Sequence, residues 1–178
     1  MKVCINCHSP NLTEIVENDL VRYICKNCGN KASRYFDKGN LKTIKTKNGL
    51  KHQVVKAVIK NPKGQILFIE RRTYPFGISI PAGHIEKNET PRQALKREVF
   101  EETGLRVKHA NLILKTLNMK NSCRAGVDLH DWYAYECTVE GTPIENYEIS
   151  SLCWTNTEKG LANPRTKKII EAYLKNGK

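Results

Sequence analysis

Three glutamates, Glu98, Glu101 and Glu102, lie within a stretch of five residues. At spacings of i, i+3 and i+4 they share one face of an α-helix, so their carboxylates repel one another. Arg97 can pair with Glu101 at i+4, but one arginine does not balance three carboxylates. A hard divalent cation such as Mg²⁺ or Mn²⁺ prefers carboxylate oxygen and would neutralise the cluster. A solvated acidic face is the alternative that the triplet alone leaves open.

The sequence predicts that these glutamates lie on a helix over residues 91–103. Thr90 suits the N-cap position, Pro91 suits the first turn, and Gln93 completes a capping box. Gly104 then supplies a left-handed stop. The carboxylates therefore fall in the last turns, where the negative end of the helix dipole adds to their repulsion.

A longer pattern surrounds this helix. Gly83 is followed after five residues by Glu89, and after seven more by Arg97. From there the chain reads Arg97-Glu98-Val99-Phe100-Glu101-Glu102-Thr103-Gly104-Leu105. This resembles the signature of the Nudix hydrolase family at every fixed position. The segment that leads into it, Ile80-Pro81-Ala82-Gly83, resembles the family's approach to the signature.

The resemblance implies a Nudix fold, which is an α+β fold built as a mixed-sheet α/β/α sandwich. It also implies metal-dependent hydrolysis of a diphosphate linkage in a nucleoside diphosphate derivative, with Mg²⁺ or Mn²⁺ activating the attacking water. Arg97 and Glu89 would orient the reacting groups, and Glu101 would be a metal ligand or the base. The metal ligands that it implies are Glu98, Glu101, Glu102 and a backbone carbonyl of Ala82 or Gly83.

Two further features outside the signature are candidates for the site. Family members often recruit a carboxylate from a downstream loop, and we favour Glu148 over Glu145 because of its spacing to Trp154; a plain surface glutamate is the alternative. Arg71 and Arg72 end a predicted strand just before the signature. They could clamp phosphate, or they could be paired surface arginines without a ligand.

Two Cys-x-x-Cys pairs stand at the start of the chain, Cys4/Cys7 and Cys25/Cys28. A two-residue gap lets a tight turn aim both sulfurs at one ion, and two such turns complete a tetrahedral shell around Zn²⁺. We therefore predict a structural zinc ribbon over residues 1–36, whose folding would depend on the metal. A zinc ribbon ahead of a Nudix domain resembles the NADH pyrophosphatase group.

The remaining organisation follows from composition and periodicity. Residues 37–51 are polar and basic and are interpreted as a linker, and residues 52–178 are interpreted as the Nudix domain. A second helix is predicted over 164–174, with Ile169, Ile170 and Leu174 facing inward. Strands are predicted at 12–16, 20–25, 54–60, 66–70, 112–117, 132–138 and 151–155.

The chain is strongly basic, with 30 Lys and Arg against 18 Asp and Glu and a formal charge of +12. It should attract polyanions. One hypothesis is a hydrolase of small nucleotides, in which the ribbon stabilises the fold or a homodimer. The other is an RNA-directed protein, a 5′-end pyrophosphohydrolase or a nucleotide sensor, whose ribbon and basic linker bind nucleic acid. The sequence has neither a membrane-spanning apolar run nor the apolar core of a signal peptide, which predicts a cytoplasmic protein.

The flanking sequence leaves the substrate open. The Ser-Gln-Pro-Trp-Pro-Phe-Pro array of NADH pyrophosphatases is absent between Arg106 and Val139, and so is the proline that ADP-ribose pyrophosphatases carry past the signature. Tyr133 and Tyr135 share one face of a predicted strand, opposite Trp132, for core packing or for stacking on a base. His84 could reach phosphate or have no functional role.

Overall fold

The computed structural model describes residues 1–176, except the side chain of residue 165. This part of the chain forms three helices, α1 (Pro91–Thr103), α2 (Thr157–Ala162) and α3 (Pro164–Asn176). None of these helices is both long and apolar enough to cross a membrane. The strands are β1 (Lys2–Cys4), β2 (Leu12–Glu17), β3 (Leu20–Cys25), β4 (Lys31–Ala32), β5 (Tyr35–Asp37), β6 (Thr43–Thr46), β7 (Gly49–Ile59), β8 (Ile66–Arg71), β9 (Gly77–Ser79), β10 (Ala82–His84), β11 (Arg106–Lys120), β12 (Leu129–Glu140) and β13 (Ile149–Thr155).

The central sheet is organised around β7. Its strand order is β10-β7-β12-β11, and β6 pairs with β7 beside this path. β12 runs parallel to β7, whereas β10 and β6 run antiparallel to it. A second sheet has the order β13-β8-β9. The mixed sheet expected from the sequence is therefore confirmed.

Both faces of β7 are buried, each beneath a different helix. Val55 and Ala57 pack in a core cluster with Leu95 and Val99 of α1. Val54 and Val58 point the other way and pack in a second cluster that contains two isoleucines of α3, Ile169 and Ile170. Successive strand residues point to opposite faces, so this apolar run serves two cores. The α/β/α sandwich is confirmed.

β12 shows the same division of its side chains. Tyr135 is 4% exposed and belongs to the cluster beneath α1, against which Tyr133 also packs. Trp132 is equally buried but belongs to the cluster beneath α3. The predicted opposition of the two tyrosines to Trp132 is confirmed, and all three side chains pack against core clusters.

The helix α1 begins and ends where the sequence predicts. The backbone N–H of Gln93 donates to Thr90 Oγ1 at 3.3 Å, and the Thr90 N–H donates to Gln93 Oε1 at 2.9 Å. Gly104 terminates the helix with φ 73°, a left-handed conformation that favours glycine. Both ends of α1 are thus fixed, and this sets the positions of the three glutamates along the helix.

The N-terminal strands form two small sheets that pack against the rest of the protein. The predicted ribbon strands appear as β2 and β3, which pair antiparallel, and β1 pairs with β5. Val21, Tyr23 and Tyr35 form a core cluster with Cys123, Ala125 and Val127 of the loop before β12. Arg34 Nε also donates to the Cys123 carbonyl at 2.8 Å. The ribbon region is therefore anchored to the central sheet.

The structure differs from the sequence interpretation at two places. Residues 43–51, part of the predicted linker, form β6 and the start of β7, a hairpin closed by the pair Thr46↔Gly49. The alternation in Thr43–Thr46 followed by Asn48-Gly49 is a hairpin signal that the basic composition obscured. Leu174 is 40% exposed and does not face inward as predicted. Residues 177 and 178 of the predicted domain lie outside the described residues.

Replacing Thr90 by Ala should lower the free energy of unfolding by about 1 kcal/mol, because the N-cap oxygen is lost. Urea denaturation monitored by circular dichroism measures this change. Thr142→Ala, at an exposed position in the loop after β12, is the control and should leave the stability nearly unchanged. Equal unfolding midpoints for the two variants would contradict the assigned helix start.

Candidate active site

A cavity of about 870 Å³ lies beside α1. Its volume falls within the range of roughly 300 to 1,000 Å³ that is typical of small-molecule sites. Its wall includes Ala82 and Gly83 of β10, three glutamates of α1, and Glu148 from the loop before β13. The N-terminal sheets contribute Tyr35 and Asp37, both on β5. The cavity is therefore built from both the N-terminal sheets and the central sandwich.

The strand β10 packs directly on the carboxylates of α1. The Ala82 N–H donates to Glu102 Oε2 at 2.8 Å. A β-carbon built on Gly83 would overlap the carboxylate of Glu98, so a larger residue here would displace that side chain from its present position. The antiparallel register Gly83↔Val55 fixes the position of β10 against the sheet.

Arg97 joins the glutamates of the signature into one network. It forms a bidentate pair with Glu89, with Nε and Nη2 donating to its two oxygens at 2.8 and 2.9 Å. Its Nη1 donates to Glu98 Oε1 at 2.8 Å and to Glu101 Oε2 at 3.0 Å. Its Nη2 also donates to the carbonyl of His84 at 2.9 Å. These contacts hold Glu98 and Glu101 in fixed orientations.

The two candidate phosphate-binding arginines have different surroundings. Arg71 lines the cavity, and its Nη1 donates to Glu102 Oε1 at 2.5 Å and to the Ala82 carbonyl at 3.4 Å. Arg72 is not among the residues that line the cavity, and its buried Nε has no hydrogen-bond partner among the described residues. The structure thus brings Arg71 into the site and leaves Arg72 outside it.

Burial makes the anionic forms of two glutamates unfavourable. Burial, together with the charge of Glu102, raises the pKa of Glu98 to about 7. Burial also raises the pKa of Glu102, although Arg71 opposes this shift. A divalent cation would remove this penalty by supplying charge. Carboxylate and carbonyl oxygens are the donors that Mg²⁺ and Mn²⁺ prefer, so the residues present fit such an ion.

The three glutamates of α1 are not gathered around one point. Within residues 1–176, the groups whose ligand atoms all lie within 4.8 Å of one another are a set of four cysteines and a set of three histidines with one cysteine. Arg71 holds Glu102, whereas Arg97 holds Glu98 and Glu101. A cation at this place would replace Arg71 as the counter-charge of Glu102, while Arg97 could still hold Glu98 and Glu101.

The loop before β13 brings one of the two candidate downstream glutamates to the cavity. Glu148 lines the wall, and Arg124 Nη1 donates to its Oε1 at 2.8 Å. Asn146 fixes this loop, because its Nδ2 donates to the carbonyls of Glu101 and Glu102 at 2.9 and 3.0 Å. Glu145 is exposed and is not part of the cavity wall. The geometry therefore favours Glu148 over Glu145, as the spacing to the last strand did.

The four N-terminal cysteines lie together. All four sulfurs lie within 4.8 Å of one another, so this group could hold a metal ion. The Cys4 and Cys28 sulfurs are 3.8 Å apart, and those of Cys7 and Cys25 are 3.6 Å apart. These distances are too long for disulfides, and all four thiols are free. Thiolates at about 2.3 Å from a tetrahedral Zn²⁺ lie about 3.8 Å apart.

The structure brings together a second cluster of side chains that could bind a metal, and the sequence alone does not indicate it. His52, His84, His130 and Cys123 have ligand atoms that all lie within 4.8 Å of one another. Of these four residues, the sequence indicates His84 alone as a candidate site residue, because it follows Gly83. His52 and His130 meet because β7 and β12 pair in parallel with His130 opposite His52. Burial lowers the pKa of both to about 4, so both imidazoles are neutral at pH 7.

Sequence comparison identifies a matching family model and relatives that align with part of the chain. The model of the NUDIX domain family matches residues 50–173. An 8-oxo-dGTP diphosphatase of Haemophilus influenzae is 38% identical over 63 residues, which are 34% of this chain and 46% of that protein. An RNA pyrophosphohydrolase of Pectobacterium atrosepticum is 41% identical over 61 residues, 34% of each chain. The chain thus matches less than half the length of both relatives.

Solved structures share the fold of the central sandwich. The MutT protein from Methanosarcina mazei Go1 superposes with a TM-score of 0.61 at 22% identity, covering 72% of this chain and 96% of that one. The NUDIX domain of Shewanella oneidensis NrtR, solved with ADP ribose, gives a TM-score of 0.60 at 18% identity, covering 72% and 89%. Because the family model also matches residues 50–173 of the 178, the chain belongs to the NUDIX domain family.

Proposed function

We propose that this protein is a divalent-metal-dependent hydrolase that cleaves the diphosphate linkage of a nucleotide derivative. The observation that carries the proposal is the packing of the Ala82-Gly83 backbone against Glu98 and Glu102 at the wall of the cavity. Two glutamates whose anions are disfavoured by burial are poorly suited to a purely structural role. They are well suited to hold a cation beside a phosphate.

In this proposal Glu98, Glu102 and a carbonyl of Ala82 or Gly83 hold Mg²⁺ or Mn²⁺, with Glu101 as a further ligand or a base. The ion would lower the pKa of the attacking water and neutralise charge on the phosphoryl oxygens. Arg97 would orient Glu98 and Glu101 through the contacts that it makes to both carboxylates. Arg71, released from Glu102, would be free to contact a phosphate oxygen.

The reaction proposed is attack of water on one phosphorus of the diphosphate. The new bond joins the water oxygen to phosphorus, and the bond from that phosphorus to the bridging oxygen breaks. The electron pair of the broken bond leaves with the bridging oxygen, and the proton of the water passes to a carboxylate. Glu148 and Glu101 are the candidates, because both line the cavity and keep 37% and 55% of their side chains exposed.

The proposed substrates share a nucleoside attached to a diphosphate. The relatives named above are an 8-oxo-dGTP diphosphatase and an RNA pyrophosphohydrolase, and one structural neighbour was solved with ADP ribose. The cavity volume suits a mononucleotide or the terminal nucleotide of an oligonucleotide. The net charge of +12 favours a polyanionic substrate, and it supports RNA bearing a 5′-phosphate chain as the second candidate.

We also propose that Cys4, Cys7, Cys25 and Cys28 hold a structural Zn²⁺. The sulfur separations of 3.8 and 3.6 Å support this, because they match a tetrahedral thiolate shell. The ribbon would then stabilise β5, which pairs with β1 and contributes Tyr35 and Asp37 to the cavity wall. A homodimer and a cytoplasmic location are further expectations from the sequence.

Replacing Glu102 by Gln should reduce kcat by at least about 100-fold, since loss of a group that only orients a metal ligand already costs 10 to 100-fold. Activity is measured with Mg²⁺ on ADP-ribose, NADH, diadenosine polyphosphates, 8-oxo-dGTP, nucleoside triphosphates and 5′-triphosphate RNA. Glu158→Gln, at an exposed position on α2, is the matched control and should retain wild-type turnover. Full activity of Glu102→Gln would rule out the proposed metal site.

The pair Glu145 and Glu148 offers a comparison within one loop. Glu148→Gln should lower kcat by roughly 10 to 1,000-fold because it removes a carboxylate that can accept a proton, whereas Glu145→Gln should leave kcat unchanged. The measurement is steady-state kinetics on the best substrate of the panel. If both variants keep wild-type kcat, the base is a different group, and Glu101 is then the candidate to replace.

For the ribbon, the double variant Cys25→Ser/Cys28→Ser should bind one zinc ion fewer per chain than the wild type. Two hydroxyls replace two thiolate ligands, and the remaining pair of sulfurs cannot hold the ion tightly. Native mass spectrometry measures the difference. An unchanged zinc content would show that these cysteines are not ligands.

A further inference from the structure

The cluster of His52, His84, His130 and Cys123 lies where three strands and a loop meet. His52 is on β7, His84 ends β10, and His130 is on β12. Cys123 is on the loop between β11 and β12. Three of the four are 6% exposed or less, and the centres of the His52 and His84 rings lie 5.0 Å apart. Four side chains of types that bind metals therefore converge, and three of them, His84, Cys123 and His130, also line the cavity.

Polar atoms of this cluster are buried without partners. Both ring nitrogens of His130 and Nε2 of His84 have no hydrogen-bond partner among the described residues. A buried polar group without a partner costs about 1 to 3 kcal/mol, so native structures rarely keep several in one place. An ion coordinated by these nitrogens would satisfy them. The unpartnered atoms are thus independent support for a ligand at the point of convergence.

The surroundings of His52 orient it as a metal ligand. Its Nε2 lies 3.0 Å from Thr43 Oγ1, while its Nδ1 faces Cys123 Sγ at 3.8 Å. Metal-ligating imidazoles commonly engage the second nitrogen in this way, which fixes the tautomer and the ring orientation. Nitrogen at 2.0 to 2.1 Å and sulfur at 2.3 Å from a tetrahedral ion lie about 3.6 Å apart. The observed separation is close to this value.

We propose that these four residues form a second zinc site, distinct from the ribbon and from the carboxylates of α1. Imidazole nitrogen and thiolate sulfur suit Zn²⁺, whereas Mg²⁺ and Mn²⁺ prefer oxygen. Four protein ligands complete a tetrahedral shell and leave no position for water. The ion therefore has a structural role, and binding converts the Cys123 thiol to a thiolate with release of a proton.

Such an ion would fasten the loop of Cys123 to the central sheet beside the cavity. The next residue, Arg124, accepts a hydrogen bond at its carbonyl from the Tyr35 N–H at 2.9 Å, and its side chain pairs with Glu148. The ion would hold this loop between the ribbon and the active-site wall. The same ion would also restrain His84, the residue that follows Gly83.

Zinc content and X-ray absorption of the wild-type protein test the proposal without any substitution. We expect two zinc ions per chain and, because the two sites together supply five sulfurs and three nitrogens, an average shell of about 2.5 sulfurs and 1.5 nitrogens per zinc. One zinc per chain surrounded by four sulfurs would overturn the proposal, because the ribbon alone accounts for that result.

Substitutions then assign the second ion. Cys123→Ser should retain one zinc with a shell of four sulfurs, and Cys25→Ser/Cys28→Ser should retain one with three nitrogens and one sulfur. Cys153→Ser, which changes a free cysteine outside both groups, is the control and should retain two. His130→Gln provides an independent removal of one ligand, with circular dichroism as the check on folding. Two zinc ions in both folded Cys123→Ser and folded His130→Gln would overturn the assignment.

Discussion

The pairing of β7 with β10 and with β12 is the constraint on which two features depend. These are the candidate active site and the cluster of His52, His84, His130 and Cys123. β10 joins one edge of β7 antiparallel and places Gly83 opposite Val55, so Ala82 and Gly83 of this strand meet the carboxylates of α1. β12 joins the other edge in parallel and places His130 opposite His52. A slip of one residue in either register would turn the affected side chains to the opposite face. The buried apolar residues of β7 oppose such a slip, because they must fill cores on both sides.

The carboxylates of α1 show how the fold tolerates buried acidic groups. Glu102 is 5% exposed and is accepted in the interior because Arg71 and the Ala82 N–H donate to it. Glu98 and Glu101 share the guanidinium of Arg97, which Glu89 holds in place. Arg71 supplies positive charge to Glu102 where the proposed cation would also supply it. The cost of binding that cation would therefore include breaking the Arg71–Glu102 pair, and the benefit would be relief of the carboxylates' desolvation.

Much of this site was predictable from the sequence, because its positions are fixed by local rules. The capping box at Thr90 and the stop at Gly104 set the phase of α1, and the helical period then places the three glutamates. The cysteine pairs were equally predictable, since two-residue gaps form local turns. Glu148 was preferred from its spacing to the next strand, and the structure places it on the cavity wall.

The parts that were not predictable depend on long-range pairing. His52 and Cys123 are 71 residues apart, and only the strand register and the loop packing bring them together. Arg71 and Arg72 are adjacent in sequence, yet the backbone sends one side chain into the cavity and the other away from it. The hairpin of β6 and β7 was obscured by its basic composition, although its turn residues were visible.

Tyr35 and Asp37 of β5 form part of the cavity wall, so ligand binding is linked to the folding of the N-terminal sheets. A ligand that contacts this wall binds only when the N-terminal sheets are formed. By thermodynamic linkage, occupation of the cavity then stabilises those sheets, by an amount that grows with the logarithm of ligand concentration. Loss of the zinc proposed for the four N-terminal cysteines would therefore raise the apparent Kd for the ligand, even with every carboxylate of α1 intact. The stability of the N-terminal sheets would therefore affect the affinity of the cavity for its ligand.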